Sequence, residues 1–163
     1  MARNPEVQAI VSALVGSWAG TGVGGYPTID PFEYRETTVI EDRPDHPALH
    51  YQQRAWKLSE FGEVASHWEL GLIRISTDGT VTINNAQGGR AETMAGTWKQ
   101  TDSGWRLELA STDFAGDDRV IASTRVFEVS GDTLSYEQEM KTTATNEMSI
   151  HLRASLDRQS DPD

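Results

Sequence analysis

Apolar positions along this chain keep two different periods. Over residues 5–14 they recur every three to four positions, at Val7, Ile10, Val11 and Leu14, which predicts one amphipathic helix. Asn4 suits its cap, Pro5 its first position, and Gly16 its end. From Ser17 onward the period falls to two, in segments rich in Thr, Val, Ile, Tyr and Trp, the pattern of half-buried strands. Ten strands are predicted, over 17–25, 31–42, 48–58, 65–77, 80–87, 90–100, 104–112, 120–130, 133–143 and 147–158.

Turn chemistry joins these segments into neighbours. Asp78-Gly79, Ser103-Gly104 and Gly131-Asp132 each sit between two alternating runs, as short hairpin loops require. After the first helix no segment carries the long helical pattern that a parallel crossover needs. The expected fold is therefore all-β, a ten-stranded antiparallel up-and-down barrel with the helix plugging one end and Trp18 buried at that base. The chain contains no internal repeat or linker, so residues 1–163 form one predicted domain, with its core over about 5–158 and a frayed tail at 159–163.

Composition narrows what such a barrel serves. With 14 Lys+Arg against 25 Asp+Glu, the net charge of −11 repels phosphate backbones and anionic headgroups, so neither nucleic acid nor a membrane is an expected partner. No apolar run is long enough to span a bilayer and no signal peptide is recognisable, which places the chain in the cytoplasm as an expectation. The absence of cysteine removes disulfides, thiolate metal sites, a Cys nucleophile and thioether attachment of a haem. Nucleophile elbows, Walker loops and HExxH pairs are missing too.

Four histidines are then the scarce chemistry. His46 lies in a proline-bounded loop and His50 shares a strand face with Gln52, Arg54 and Trp56, so both read as structural or surface residues. His67 shares a face with Glu69, Gly71 and Ile73, and a satisfied barrel histidine is its plain reading. His151, in the last strand, has no carboxylate or histidine cluster around it, which argues against a zinc or two-metal site. One imidazole is nonetheless enough to hold a haem iron, because the porphyrin supplies the other four nitrogens. Alternation raises a difficulty, since it groups Leu152, Ala154 and Leu156 and puts His151 on the other face with Arg153 and Ser155. Either the lumen is partly polar there or a bulge resets the register.

Several blocks carry a family resemblance. Gly16, Trp18, Gly20 and Gly22 fit G-x-W-x-G-x-G, followed by Tyr26-Pro27-Thr28-Ile29. FEYRETTVIED occupies 32–42, H-x-E-x-G-x-x-R falls at His67, Glu69, Gly71 and Arg74, and the chain ends with H-L-x-A-x-L-x-R from His151 to Arg158. In this order and over nearly the whole length, the blocks resemble the nitrobindins, haem-binding barrels formerly described as fatty-acid-binding-protein-like.

The resemblance implies a ten-stranded barrel holding one non-covalent ferric haem b, with His151 as axial ligand of the iron. It also implies His67 near the haem as a distal hydrogen-bond donor, and a pocket that includes Thr28, Ile29, Met140 and Met148. The segment between Met140 and His151 is one residue longer than the family pattern. The implied activity is binding of nitric oxide and isomerisation of peroxynitrite to nitrate, by a monomer or homodimer. The net charge of −11 should slow the approach of that anion. A different class remains open, a carrier of a fatty acid or other apolar ligand whose carboxylate meets Arg125, Arg74 or Arg153.

Overall fold

A computed structural model describes residues 3–43 and 45–160. Helix α1 (Pro5–Leu14) is followed by strands β1 (Gly16–Tyr26), β2 (Ile29–Glu41), β3 (Ala48–Ser59), β4 (Gly62–Ile75), β5 (Thr80–Gln87), β6 (Arg90–Gln100), β7 (Trp105–Ala115), β8 (Val120–Ser130), β9 (Thr133–Thr142) and β10 (Ser149–Arg158). Each strand pairs antiparallel with its chain neighbours, and β10 pairs with β1 to close the barrel. Closure leaves no exposed sheet edge.

The ten expected strands are all present, with shifted ends. β4 begins at Gly62 and stops at Ile75, because Glu60 and Phe61 alone turn the chain back from β3. β7 runs on to Ala115, and β10 starts at Ser149. Of the tail expected to fray, Gln159 is tied by its backbone N–H to Ser17 O (2.8 Å), and residues 161–163 lie outside the described residues. Among the described residues, no helix is long and apolar enough to cross a membrane.

One end is filled by the helix. Asn4 Oδ1 accepts from the Glu6 backbone N–H (2.9 Å), and Val7, Ile10, Val11 and Leu14 turn their side chains onto the core that contains Trp18, Leu49, Leu107 and Leu156. Trp18, only 1% exposed, donates from its indole to Leu14 O (3.0 Å). Arg158 stacks on the Trp18 ring at 4.1 Å and donates to Val15 O (2.6 Å) and Ala13 O (2.8 Å). Carbonyls that a helix end leaves unpaired are thus taken by two side chains of the barrel floor. Gly22 belongs to the same opening block for a steric reason. A Cβ there would overlap the Tyr34 phenol and the Arg153 carbonyl of the adjacent strand.

Candidate functional site

The opposite end is open, and irregular pairing shapes it. Between β9 and β10 the register shifts: Ile150 faces Glu139 while Leu152 faces Gln138, leaving His151 as the extra residue of a β-bulge. A bulge re-aims the side chains beside it. Ile150 points outward at 42% exposure, and His151 and Leu152 both line the interior cavity. The bulge that strict alternation left open is therefore present at the histidine itself.

A second irregularity in β1, between Gly24 and Tyr26, accompanies it. The Gly25 carbonyl lies 2.9 Å from His151 Nδ1. A carbonyl oxygen only accepts, so Nδ1 carries the proton and Nε2 keeps its lone pair. Tyr26 packs edge-on against the imidazole, with centroids 5.9 Å apart, and its hydroxyl contacts Thr145 Oγ1 (2.5 Å) and Met140 O (3.2 Å). Burial holds the His151 pKa below its ordinary 6.5; the Gly25 bond opposes this, and the charges of Arg90, His67 and Lys57 add to it. At neutral pH the ring is neutral, the form that binds metals.

His151 and His67 stand where two lobes of one cavity meet. The outer lobe, about 400 Å³, is lined by Tyr26, Thr28, Ile29, Val120, Gln138 and Met140 among others. The inner lobe, about 210 Å³, reaches down to Phe32, Tyr34, Gln53 and Tyr136. Thr28 enters through the Pro27-Thr28 turn between β1 and β2. Met148 lies at the surface, 36% exposed, and is not among the lining residues. His46 accepts from the Ala48 backbone N–H through Nδ1 (3.2 Å) in its loop, and His50 faces outward, 3.3 Å from Glu41. The structure thus brings together His67 and His151 and leaves the other two histidines outside.

Below the cavity the barrel interior is polar. Glu69, fully buried, takes both Arg125 Nη atoms at 2.6 and 2.7 Å and accepts from the Tyr51 hydroxyl, while His67 Nε2 lies 3.3 Å away. Burial alone would raise the Glu69 pKa, but Arg125 and His67 overcome it and hold the carboxyl well below its usual range. Glu36 is different. It meets Tyr136 (2.6 Å) and Thr38 (2.8 Å) and makes no ion pair among the described residues, so burial pushes its pKa up against the opposing hydrogen bonds and His67. Tyr136 in turn meets Tyr34 (2.9 Å) and Gln53 (3.1 Å) on the floor of the inner lobe.

The arginines of the carrier reading line neither lobe of the cavity. Arg125 is committed to Glu69, Arg74 is exposed beside a groove at the helix end, and Arg153 is exposed and paired with Glu137 at 2.5 Å. Among the described residues, no group of three or more His, Asp or Glu is arranged to hold a bare metal ion. A haem suits the residues present. It needs one neutral imidazole with a free lone pair, and the cavity around His151 is of small-molecule size with apolar walls at Ile29, Val120, Met140 and Leu152.

Similarity to known proteins decides the family. Residues 8–158 match the family described as the THAP4-like, heme-binding beta-barrel domain. The chain belongs to this family. Members and relatives include a peroxynitrite isomerase of Arabidopsis thaliana, 36% identical over 161 residues, covering 96% of this chain and 93% of the relative. Peroxynitrite isomerase 1 of Mycobacterium tuberculosis is 36% identical, covering 95% of this chain and 96% of its own. The crystal structure of Rv2717c from M. tuberculosis superposes with a TM-score of 0.86 at 34% identity, over 98% of this chain and all (100%) of that one. An S-type phycobiliprotein lyase from Guillardia theta shares the fold at 12% identity and a TM-score of 0.63. This heme-binding family is the one that the Gly16–Gly22, His67 and His151 blocks resemble.

Several site residues escaped sequence reasoning. Gly25 acts through its backbone carbonyl, which no side chain announces, and Tyr26 stands in the opening block without a sign that it packs on the imidazole. Glu36, Gln53 and Gln138 did leave a signal, polar residues at the buried phase of alternating strands.

Proposed function

We propose that this chain binds one non-covalent haem b through His151 Nε2, and that the loaded protein binds nitric oxide and isomerises peroxynitrite to nitrate. The observation that carries this reading is the bulged His151, whose Nδ1–H is anchored on Gly25 O and whose Nε2 is left with its lone pair at the cavity. The names of the peroxynitrite isomerase relatives support the choice of substrate. The bulk cytoplasm is the proposed location.

Peroxynitrite and nitrate are isomers of equal charge, so turnover needs no net proton or electron and no titrating acid. When bound, a ferric haem supplies a Lewis-acid position for a peroxide oxygen. The protein's own part is to hold, orient and dehydrate. His151 anchors through a tautomer fixed by Gly25, and Tyr26 restrains the ring plane. Ile29, Val120, Met140 and Leu152 keep the walls apolar. Glu69 is a positioning residue: an ionised carboxylate only accepts, so the His67 Nε2 facing it carries a proton. His67 Nδ1 is the nitrogen left to the cavity, an acceptor in the neutral ring and a donor in the imidazolium.

Stopped-flow decay of peroxynitrite over the ferric, haem-loaded protein tests the activity. Decay should quicken in proportion to protein, with nitrate as product, and His151→Ala should return it to the rate of buffer. Unchanged decay with the loaded wild type would reject the activity while leaving haem binding to be judged on its own spectrum.

A further inference from the structure

At the cavity mouth stands an arginine that, among the described residues, makes no ion pair within 4.0 Å. Arg90 opens β6 directly after the β5–β6 turn, and its Nη2 donates to Gln87 Oε1 (3.0 Å). Its Nε is shut off from solvent and has no acceptor among the described residues. Guanidinium is a permanent cation with five donors, and buried donors are almost always paired.

A carboxylate on the same lobe is already taken. Asp117 lines the same outer lobe, but Arg119 holds it through Nε (2.9 Å) and Nη2 (3.0 Å); these bonds and the Arg119 backbone N–H draw its pKa down to about 2, with a smaller contribution from the more distant charge of Arg90. Among the described residues, Arg90 has no carboxylate within 4.0 Å. The arrangement is fixed by backbone. Gly116 has φ +94°, and a Cβ on it would overlap the Gly89 carbonyl, so the β7–β8 loop is pressed against the β5–β6 turn that carries Arg90.

Lys57 lines the inner lobe, its ammonium 4.0 Å over the Phe32 ring and equally without a carboxylate within 4.0 Å among the described residues. Arg90 and Lys57 are the permanent cations whose charges bear on the His151 ring. In a chain of net charge −11, the cavity is thus a local region of positive field.

We propose that Arg90 forms an oxyanion subsite at the cavity mouth, seconded by Lys57, which takes a carboxylate or similarly charged oxygen group of the cavity's occupant. The carboxylate source rests on the haem reading, since haem b carries two acidic side arms; a free inorganic oxyanion offers the same chemistry. Arg90 would offer that group the guanidinium N–H groups that Gln87 does not take, and the subsite would draw anions to an otherwise acidic protein.

Two measurements separate the sources. In the first, apoprotein is titrated with haem and with haem dimethyl ester, whose carboxylates are blocked, by quenching of tryptophan fluorescence. Wild type should bind haem about tenfold more tightly than the ester, as a charge-assisted hydrogen bond implies. Arg90→Gln should bind the two within about twofold of each other. In the second, nitrate is added to apoprotein and the Arg90 Nε–H resonance is followed by NMR. Equal affinity for haem and ester with a nitrate-induced shift assigns the subsite to the free oxyanion. Equal affinity without that shift overturns the proposal, as does a preference for haem that survives in Arg90→Gln. Should neither porphyrin bind, the haem reading fails, and the nitrate shift alone then upholds or overturns the subsite. The wild-type comparison stands even where the variant does not fold.

Discussion

The two ends of this barrel are built by opposite rules. At the closed end every side chain follows the alternation, and the helix seals it with apolar residues and paired carbonyls around Trp18 and Arg158. Toward the open end the ladder shifts register at several pairings, and two of these breaks, at Gly25 in β1 and at His151 in β10, meet in one hydrogen bond. Regular pairing stabilises; broken pairing aims a side chain. Stability and ligand binding should therefore respond to different mutations.

Trp18→Ala offers the sharpest division. Losing a fully buried indole should cost about 3–5 kcal/mol, read as a fall in denaturant midpoint, while haem affinity stays near wild type. A comparable loss of affinity would mean that the two ends are not separable.

Glu69→Gln, midway along the barrel, should come next. It leaves the Arg125 charge with only the more distant Glu92 (4.0 Å), for about 3 kcal/mol of destabilisation at pH 7. Because Glu69 has a depressed pKa in the folded state, its contribution is present above its ordinary value of 4.5 and is lost as pH falls below it. The variant should lose that acid-side slope in urea unfolding measured from pH 6 to pH 3.

Glu36→Gln should act in the opposite sense and more weakly. The folded pKa of Glu36 is raised, so the folded protein binds the extra proton above 4.5 and stability falls as pH climbs through that window. An amide oxygen accepts from one of Tyr136 and Thr38, its NH2 can donate to the hydroxyl oxygen of the other, and the slope is removed. A wild type no less stable at pH 8 than at pH 5.5, or a variant with the same slope, would contradict the assignment.

Haem affinity should change least with pH. The His151 pKa lies below 6.5, so protons compete with iron only under acidic conditions. Titrations from pH 8 down to pH 6.5 should give one dissociation constant, rising only below that range.

The same contrast governs what could be read from sequence. The closed end was legible because period and chemistry agree: Val7, Ile10, Val11 and Leu14 declare the helix, and the Gly-containing pairs at 78–79, 103–104 and 131–132 declare hairpins. The orientation of His151 was not, since nothing in Ser149-Ile150-His151-Leu152 differs from an ordinary strand, and the register that makes the bulge is set by pairing with distant β9. Arg125 and Glu69 sit at inward positions in regular alternation, yet only three-dimensional closure joins β4 to β8 across the lumen. Motif resemblance supplied what local periodicity could not.

His151 Nε2 is the group proposed to grip a haem iron. Ferric haem should be titrated into wild type and into His151→Gly, with circular dichroism verifying the fold and the Soret band reporting ligation. The wild type should give a sharp, saturable band at one haem per chain. His151→Gly should lose it and recover it when imidazole is supplied in solution. A variant that ligates haem as the wild type does, without added imidazole, would contradict the claim.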